Sequence, residues 1–355
     1  MKKSRVITVF LLSLLLIGAI VLLLTGHSNQ PQALWSRDCS LLGVFDNHVV
    51  CHNNENIVLL DITSGDKIRE IKGRNPYLIG EFLSFVRGNT LYNLNLRSGE
   101  IKELPTNLIK IYAGFDFGNY TLFIQITNKS PVPSIIYHIC HRDECFSALI
   151  QNGSIPQVLK VGNKMILGST IGREVFYVEK GKIIFNFTSD FPVRTFEIAE
   201  NKVFIADGGE ALGNIYSGKL YAFNNDGTLL WEYSLTPEDR AFACLYTDNN
   251  KLYGITYNAR MLVFLFNGEL EKIVESPLTG KILLDAESIS IGCDQGAFTY
   301  VVNTYGGKRK GGFCVYSDGG FKCYKAKFSS TKIFIRGEYI VAQLVDGKVA
   351  VFKVS

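Results

Sequence analysis

The stretch "KLYAFNNDGTLLWEY", Lys219–Tyr233, decides the fold because it reads as a strand, a turn and a second strand that carries Trp231. Its central Asn-Asp-Gly is a favoured hairpin turn between apolar segments. Similar units recur along the chain, and their turns lie 34 to 51 residues apart. The turn markers of these units are Gly65, Gly99, Asp143, Gly181, Gly227, Gly268 and Gly319.

This spacing is the period of β-propeller blades that contain four strands each. Two more apolar strands precede most units, as in "TFEIAENKVFIAD" (195–207) and "ACLYTDNNKLYGITY" (243–257). A blade therefore runs a, b, c, d from the inner to the outer strand, and the quoted unit supplies strands c and d. The sequence predicts an all-β propeller of four-stranded antiparallel blades.

The two ends of the chain predict how the ring closes. The last residues, "TKIFIRGEYIVAQLVDGKVAVFKVS" (331–355), supply strands a, b and c but no outer strand. We expect "ALWSRD" (33–38) to be that missing strand, because pairing it there would remove an exposed sheet edge. This count gives eight blades over 31–355. Seven blades is the alternative, since 282–307 holds one strand more than the pattern needs.

The quoted unit resembles the repeat of the PQQ-like (quinoprotein alcohol dehydrogenase-like) β-propellers, through Tyr221, Ala222, Gly227 and Trp231. The resemblance implies eight blades. Enzymes of that family hold quinone in the central cavity with calcium, its carboxylate and amide ligands and a tryptophan platform. This chain has two tryptophans, no adjacent cysteines and no acidic cluster with metal spacing. We therefore expect a divergent, non-enzymatic member that uses no cofactor, neither PQQ nor calcium.

The N-terminal region is predicted to anchor the protein in a membrane. Three cations, Lys2, Lys3 and Arg5, precede 20 uncharged residues, which are enough for one spanning helix. A cleaved signal peptide is the alternative, but no small-x-small cleavage site follows. The positive-inside rule places the rest outside the cytoplasm. The expected divisions are a cytoplasmic basic head at 1–5, a transmembrane signal anchor at 6–25, a short linker at 26–30 and an extracytoplasmic propeller at 31–355.

The eight cysteines predict an oxidising compartment. Two-residue turns place Cys314 opposite Cys323 and Cys140 opposite Cys145, in positions where disulfides form. A third hairpin with looser register brings Cys39 towards Cys51, and Cys244 with Cys293 is the remaining pair. Buried free thiols in a cytosolic protein are the alternative. Candidate glycosylation sequons lie at Asn119, Asn128, Asn152 and Asn186.

The charges and histidines exclude several kinds of function. Without the three N-terminal cations, 34 basic residues balance 33 acidic ones, so we expect no nucleic-acid partner. His48 and His52 lie beside Cys51 in a pattern that a zinc or copper site could use, but Cys51 already has a disulfide partner, so we expect no metal. No Ser/His/Asp arrangement or carboxylate pair is found, and no catalytic residue is assigned. Abundant Lys, Ile and Tyr with heavy disulfide use is typical of thermophilic archaea.

Long loops predict the binding surface, because binding usually resides on loops held by a rigid scaffold. The longest ones fall on the face that carries the d-to-a and b-to-c connections. We expect a mixed-charge rim there, formed by Arg194, Asp207, Glu210, Arg240, Lys308, Arg309 and Lys310. The predicted function is a binding or scaffolding module for a protein or glycan partner. The alternative, a quinone-dependent oxidoreductase or another enzyme of the central cavity, requires polar inner strands, and the sequence predicts mostly apolar ones.

Overall fold

The fold is a ring of eight four-stranded antiparallel sheets, with one additional two-stranded hairpin, over the residues that the structure describes. The structure is a computed structural model and describes residues 32–105, 110–127, 133–142, 144–211, 214–282, 286–304, 307–325 and 328–353. The predicted eight-bladed propeller is therefore confirmed, and the seven-bladed alternative is wrong. The predicted anchor at 6–25 lies outside the described residues, and none of the described residues forms a helix that is long and apolar enough to cross a membrane.

The strands follow the order a, b, c, d within each blade. The strand that precedes blade one and the strands of blades one to four are β1 (Ala33–Asp38), β2 (Ser40–Phe45), β3 (His48–Asn53), β4 (Asn56–Asp61), β5 (Lys67–Lys72), β6 (Arg74–Ile79), β7 (Phe82–Arg87), β8 (Thr90–Asn95), β9 (Ile101–Glu103), β10 (Ile111–Asp116), β11 (Thr121–Thr127), β12 (Ser134–His141), β13 (Glu144–Ile150), β14 (Pro156–Val161), β15 (Lys164–Ser169), β16 (Glu174–Glu179) and β17 (Lys182–Thr188).

Blade five carries the extra hairpin, β20–β21, between its second and third strands. The strands of blades five to eight are β18 (Val193–Ala199), β19 (Lys202–Asp207), β20 (Gly209–Ala211), β21 (Asn214–Tyr216), β22 (Lys219–Asn224), β23 (Leu229–Ser234), β24 (Phe242–Asp248), β25 (Lys251–Thr256), β26 (Arg260–Leu265), β27 (Leu270–Glu275), β28 (Ala286–Asp294), β29 (Ala297–Thr304), β30 (Arg309–Ser317), β31 (Gly320–Lys325), β32 (Phe328–Arg336), β33 (Tyr339–Leu344) and β34 (Lys348–Lys353).

Strand β1 is the outer strand of blade eight. It pairs antiparallel with β34, with Ser36 opposite Ala350 and Asp38 opposite Lys348. Blade seven has the regular four strands, because one long strand, β28, supplies its inner position. The extra strand that the sequence pattern suggested in this blade does not form among the described residues.

The hydrophobic core lies between the blades. Middle strands such as β3 and β4 bury consecutive residues, so both of their faces are covered, whereas outer strands such as β5 expose most of their residues. One cluster packs Ile124 and Tyr137 of blade three against Met165 and Leu167 of blade four. Similar clusters join the other neighbours, so each blade depends on the next one for burial of its apolar side chains.

A repeated contact links the outer part of one blade to the glycine turn of the following blade at six junctions. Trp231, on the outer strand of blade five, lies against Gly268 in the c-to-d turn of blade six, and its Nε1 donates to a backbone carbonyl beside that turn at 3.1 Å. Trp35 of β1 makes the same contact with Gly65 of blade one, and its Nε1 donates to the carbonyl oxygen of Ile62 at 2.9 Å. Both glycines have positive φ, at 94° and 73°, which favours glycine over other residues.

Other side chains replace tryptophan at four further junctions. Outer-strand contacts join Arg69 to Gly99, Phe185 to Gly227 and Lys272 to Gly319, while His141 Nε2, at the end of the third strand β12, lies 3.0 Å from the carbonyl oxygen of Gly181. These glycine turns, which mark the repeat in the sequence, therefore serve as contact points between blades. Tryptophan is one of several side chains that make this contact.

All four predicted disulfides are confirmed among the described cysteines. Three of them are local, since they join residues 5 to 12 positions apart. The fourth joins Cys244 of β24 to Cys293 of β28, across a sequence separation of 49. It therefore links the inner strands of blades six and seven beside the central channel.

Replacing Gly268, and comparing it with a glycine that has no neighbour, should separate the cost of backbone strain in the turn from the cost of disturbing the contact with Trp231. In Gly268→Ala the new Cβ would lie 2.8 Å from Cγ of Trp231 and the residue would keep a positive φ. We expect the free energy of unfolding to fall by about 2–4 kcal/mol, measured by urea denaturation. Gly347→Ala is the control, because Gly347 has a φ of 83° with nothing within 4 Å of the new Cβ, and it should cost about 1 kcal/mol. Equal losses would show that the Trp231 contact contributes nothing.

The interblade disulfide should stabilise the fold more than a local one. Replacing both Cys244 and Cys293 by Ser should lower the free energy of unfolding by about 4 kcal/mol, because the long closed loop restricts the unfolded chain. The same change at Cys314 and Cys323 should cost about 3 kcal/mol in the same denaturation assay. A larger loss at the local pair would contradict this ranking.

Candidate functional site

Strand direction gives the ring two distinct faces. Each inner strand begins on the face that carries the d-to-a and b-to-c connections, which we call the loop face. It ends on the face that carries the a-to-b and c-to-d turns, which we call the turn face. The residues predicted to bind a partner all belong to segments at the loop face.

Part of the predicted rim lies around the base of the hairpin insertion of blade five. Arg194 donates through Nε to the carbonyl of Gly208, and the carbonyl of Arg240 accepts the N–H of Gly218 at 2.6 Å. Glu210 lies on strand β20 of the same insertion. These contacts bring both arginines to the two ends of the insertion.

Asp207 is not an exposed residue of this rim, which corrects that part of the prediction. Its side chain is fully buried, and it accepts the backbone N–H of Lys219 at 2.8 Å and the hydroxyl of Tyr221 at 3.2 Å. Burial raises the pKa of the Asp207 carboxyl, while these hydrogen bonds oppose the rise. Asp207 precedes the insertion, and Lys219 and Tyr221 follow it. These hydrogen bonds therefore hold the two ends of the insertion together.

Lys308, Arg309 and Lys310 form a separate group in the b-to-c connection of blade seven. All three are exposed. The turn that presents them is closed by the backbone N–H of Thr304, which donates to the carbonyl of Lys308 at 2.9 Å. The structure therefore divides the predicted rim into two groups, one on blade five and one on blade seven.

A cleft of about 520 Å³ lies beside the basic group, and we call it the blade-seven cleft. Its apolar lining consists of Leu278 and Ile282, from the connection that enters blade seven, and Tyr300 and Val302 from β29. Three of these four side chains are buried, and Leu278 is half-buried. The cleft is therefore a shaped, largely apolar depression in the loop face.

Three lysines surround this apolar lining: Lys281, Lys310 and Lys325. Lys281 donates to the carbonyl of Pro277 at 3.2 Å. Lys310 and Lys325 are exposed, and neither has a hydrogen-bond or ion-pair partner among the residues that the structure describes. The sequence analysis found Lys310 but missed Lys281, Lys325 and Tyr300, since these come from separate segments. Their positions at loop-face ends of predicted elements were the available signal.

The corresponding depression on the turn face, about 500 Å³ in volume, is lined by charges that already have partners. Arg97 pairs with Glu81 at 2.8 Å and Arg336 pairs with Asp294 at 3.2 Å. Lys160 donates to a nearby carbonyl at 2.7 Å and lies 5.0 Å from the centre of an aromatic ring. Compensated charges attract a ligand weakly, so this depression is the weaker candidate for a site.

The inner strands are more polar than the sequence analysis expected. Glu197 of β18, Asp294 of β28 and Arg336 of β32 all lie on inner strands of the ring. Burial raises the pKa of Glu197 to about 7, and the Asp294 carboxylate contributes to the rise. These three inner strands therefore carry charged residues that the expectation of mostly apolar inner strands did not include. Glu197 occurs in a strand that is otherwise largely apolar, which is the signal that could have identified it.

Other predicted sites are placed as follows. Asn119, Asn152 and Asn186 are exposed, and Asn128 lies outside the described residues. Within the described part of the chain, no group of three or more His, Cys, Asp or Glu side chains is arranged to hold a metal ion.

Comparisons with known proteins support the fold alone. No protein-family model and no curated protein match the sequence. The computationally designed protein Ika8 is 12% identical with a TM-score of 0.59, over 92% of this chain and 100% of that chain. BamB from Moraxella catarrhalis is 13% identical with a TM-score of 0.55, over 91% and 99% of the two chains. Saccharomyces cerevisiae Sqt1 is 12% identical with a TM-score of 0.56, over 92% and 100%.

Glu197 should make the stability depend on pH in a defined direction. Because its pKa is about 7 in the folded protein and 4.5 ordinarily, the folded state binds more protons between these values. Its contribution to stability is therefore complete below about pH 4.5 and is lost as the pH rises through 7. We expect Glu197→Gln to gain stability relative to the parent between pH 5 and pH 8, measured by urea denaturation at about these pH values.

The exposed Glu144 provides the control for this prediction. Glu144→Gln should leave the difference from the parent constant across the same pH range. A constant difference for Glu197→Gln as well would show that Glu197 ionises in the folded protein as it does in the unfolded chain.

Proposed function

We propose that this protein is a membrane-anchored, extracytoplasmic β-propeller that binds a protein or glycan partner through its loop face. It is a divergent, non-enzymatic member of the PQQ-like superfamily in this proposal. The observation that carries the proposal is the exposed basic surface of blade seven, where Lys308, Arg309 and Lys310 follow one another and Lys310 lines an open cleft. Such a surface attracts an acidic partner and orients its approach.

The disulfides support the location outside the cytoplasm. All eight cysteines are paired, and disulfides persist in oxidising compartments while the cytosol keeps most thiols reduced. The uncharged segment at 6–25 would provide the anchor.

Strand topology supports the use of the loop face. Lys348 begins β34 directly after a b-to-c turn, and Asp38 lies opposite it, so the C-terminal end of β1 is at the loop face. Ala33, the first residue of β1, therefore lies towards the turn face. The seven residues at 26–32 span at most about 25 Å when extended. An anchor at 6–25 would hold the turn face near the membrane and leave the loop face directed away from it.

An enzyme that uses the central channel is the second candidate. Glu197 favours it, because a buried carboxyl with a pKa of about 7 is suited to proton transfer at neutral pH. Against it, Asp294 and Arg336 form an ion pair with each other at 3.2 Å.

Replacing Lys308, Arg309 and Lys310 together by Ala should weaken partner capture by the full chain in detergent, measured by affinity purification after crosslinking. We expect a loss of about tenfold at low salt, because three exposed cations each contribute modestly. The charge-matched control replaces Lys72, Lys182 and Lys322, which are exposed on outer strands of blades one, four and seven. Unchanged capture by the loop-face variant would contradict the proposal.

A further inference from the structure

We propose that the blade-seven cleft is a docking site for an acidic segment of a protein partner. A bulky apolar side chain of that segment enters the cleft, and carboxylates on either side of it bind Lys281, Lys310 and Lys325. This inference rests on the proposed function and names the chemistry of the partner. Four features of the cleft support it.

The first feature is the apolar floor of the cleft, which Tyr300, Val302 and Ile282 form. Tyr300 and Val302 are two residues apart on β29, so their side chains point to the same side of the sheet. Gly312 lies opposite Tyr300, and a Cβ there would lie 2.7 Å from the Tyr300 hydroxyl oxygen. The glycine therefore leaves room for the tyrosine ring to lie across the sheet. Ile282 closes the floor from the neighbouring connection.

The second feature is the placement of the cations by strand register. Lys310 lies opposite Val302, and Lys325 lies opposite Gly312, in the same row as Tyr300. Each lysine therefore borders the apolar floor at a different point. Since neither Lys310 nor Lys325 has a partner among the described residues, an incoming carboxylate displaces no ion pair of theirs.

The third feature is the volume of the cleft. Its 520 Å³ falls within the range of about 300–1,000 Å³ that is typical of ligand sites. One or two large apolar side chains with their backbone can occupy this space, whereas a folded surface without a protruding segment cannot. The cleft therefore suits an extended peptide segment.

The fourth feature is the poor match to other occupants. A sugar would place hydroxyls against Ile282 and Val302, where they would lose hydrogen bonds to water. A lipid surface would have to reach the loop face, which the anchor would direct away from the membrane. An acidic peptide with an apolar residue can place that residue on the apolar floor and its carboxylates beside the lysines.

The test measures binding of a defined peptide to the full chain in detergent. The probe is a fluorescein-labelled peptide with the sequence Asp-Glu-Leu-Phe-Glu-Asp, followed by fluorescence polarisation at low salt. We expect saturable binding that weakens about tenfold in the Lys310→Ala, Lys325→Ala double variant. The matched control, Lys182→Ala with Lys322→Ala, removes two exposed cations from outer strands and should change the affinity by less than about twofold.

Two further probes test whether the apolar side chains of the peptide contribute to binding and whether a glycan binds at the same site. Replacing the central Leu-Phe by Ser-Gly keeps all charges and should weaken binding by about tenfold or more, because the burial of two large side chains is lost. A sulfated oligosaccharide should not compete with the peptide at equal charge concentration. Melting temperatures of the variants within about 2 °C of the parent exclude misfolding as the cause.

Three results would overturn the inference: equal binding of the Ser-Gly peptide, equal weakening by the control variant, or binding of the oligosaccharide in place of the peptide. In each case capture by the Lys308, Arg309 and Lys310 variant decides the proposed function separately. Reduced capture with no peptide binding would leave a loop-face binding module whose partner is not an acidic peptide. Unchanged capture would contradict both proposals.

Discussion

The contact between a side chain at the outer rim of one blade and the glycine turn of the next, which recurs at six junctions, is the constraint on which the spacing of the ring depends. A four-stranded blade has apolar side chains on both faces, so it is stable only when neighbours cover them. Trp231 on Gly268 and Trp35 on Gly65 fix how closely two blades approach at the rim, because the glycine admits the indole ring and its positive φ closes the turn. Phenylalanine, histidine, arginine and lysine make the corresponding contact elsewhere. The spacing between blades is thus set at the outer rim, and the hydrophobic clusters fill the space further in.

The outer strand of blade eight gives the ring its orientation as well as its closure. Since β1 pairs with β34 in antiparallel register, the chain that precedes Ala33 meets the domain at the turn face. The cross-blade disulfide between Cys244 and Cys293 adds a covalent link on the channel side of blades six and seven. Both features lie in blades six to eight, the part of the ring that also holds the proposed docking cleft.

The two faces of the ring differ in how their charges are used. On the turn face Arg97 and Arg336 have carboxylate partners, so their charges contribute to structure. On the loop face Lys310 and Lys325 face solvent beside an apolar floor, so their charges are available to a partner. The inner strands show a third arrangement, in which desolvation and the Asp294 carboxylate raise the pKa of the half-buried Glu197 to about 7. This division is the reason for proposing that a partner binds at the loop face, because a charge without a counter-charge gains most from an oppositely charged ligand.

The sequence by itself determined the blade repeat, the eight-bladed count and the register of the hairpin disulfides, because these depend on local turns and on the two-residue period of a strand. Cys314 and Cys323 are opposite each other once the turn between them is known. Only the tertiary structure decided that Asp207 is buried, that the half-buried Glu197 lies within the influence of Asp294 and that Lys281, Lys310 and Lys325 surround one cleft. Burial and convergence depend on segments that are distant in sequence, and the positions of those segments are set by how the blades pack against one another.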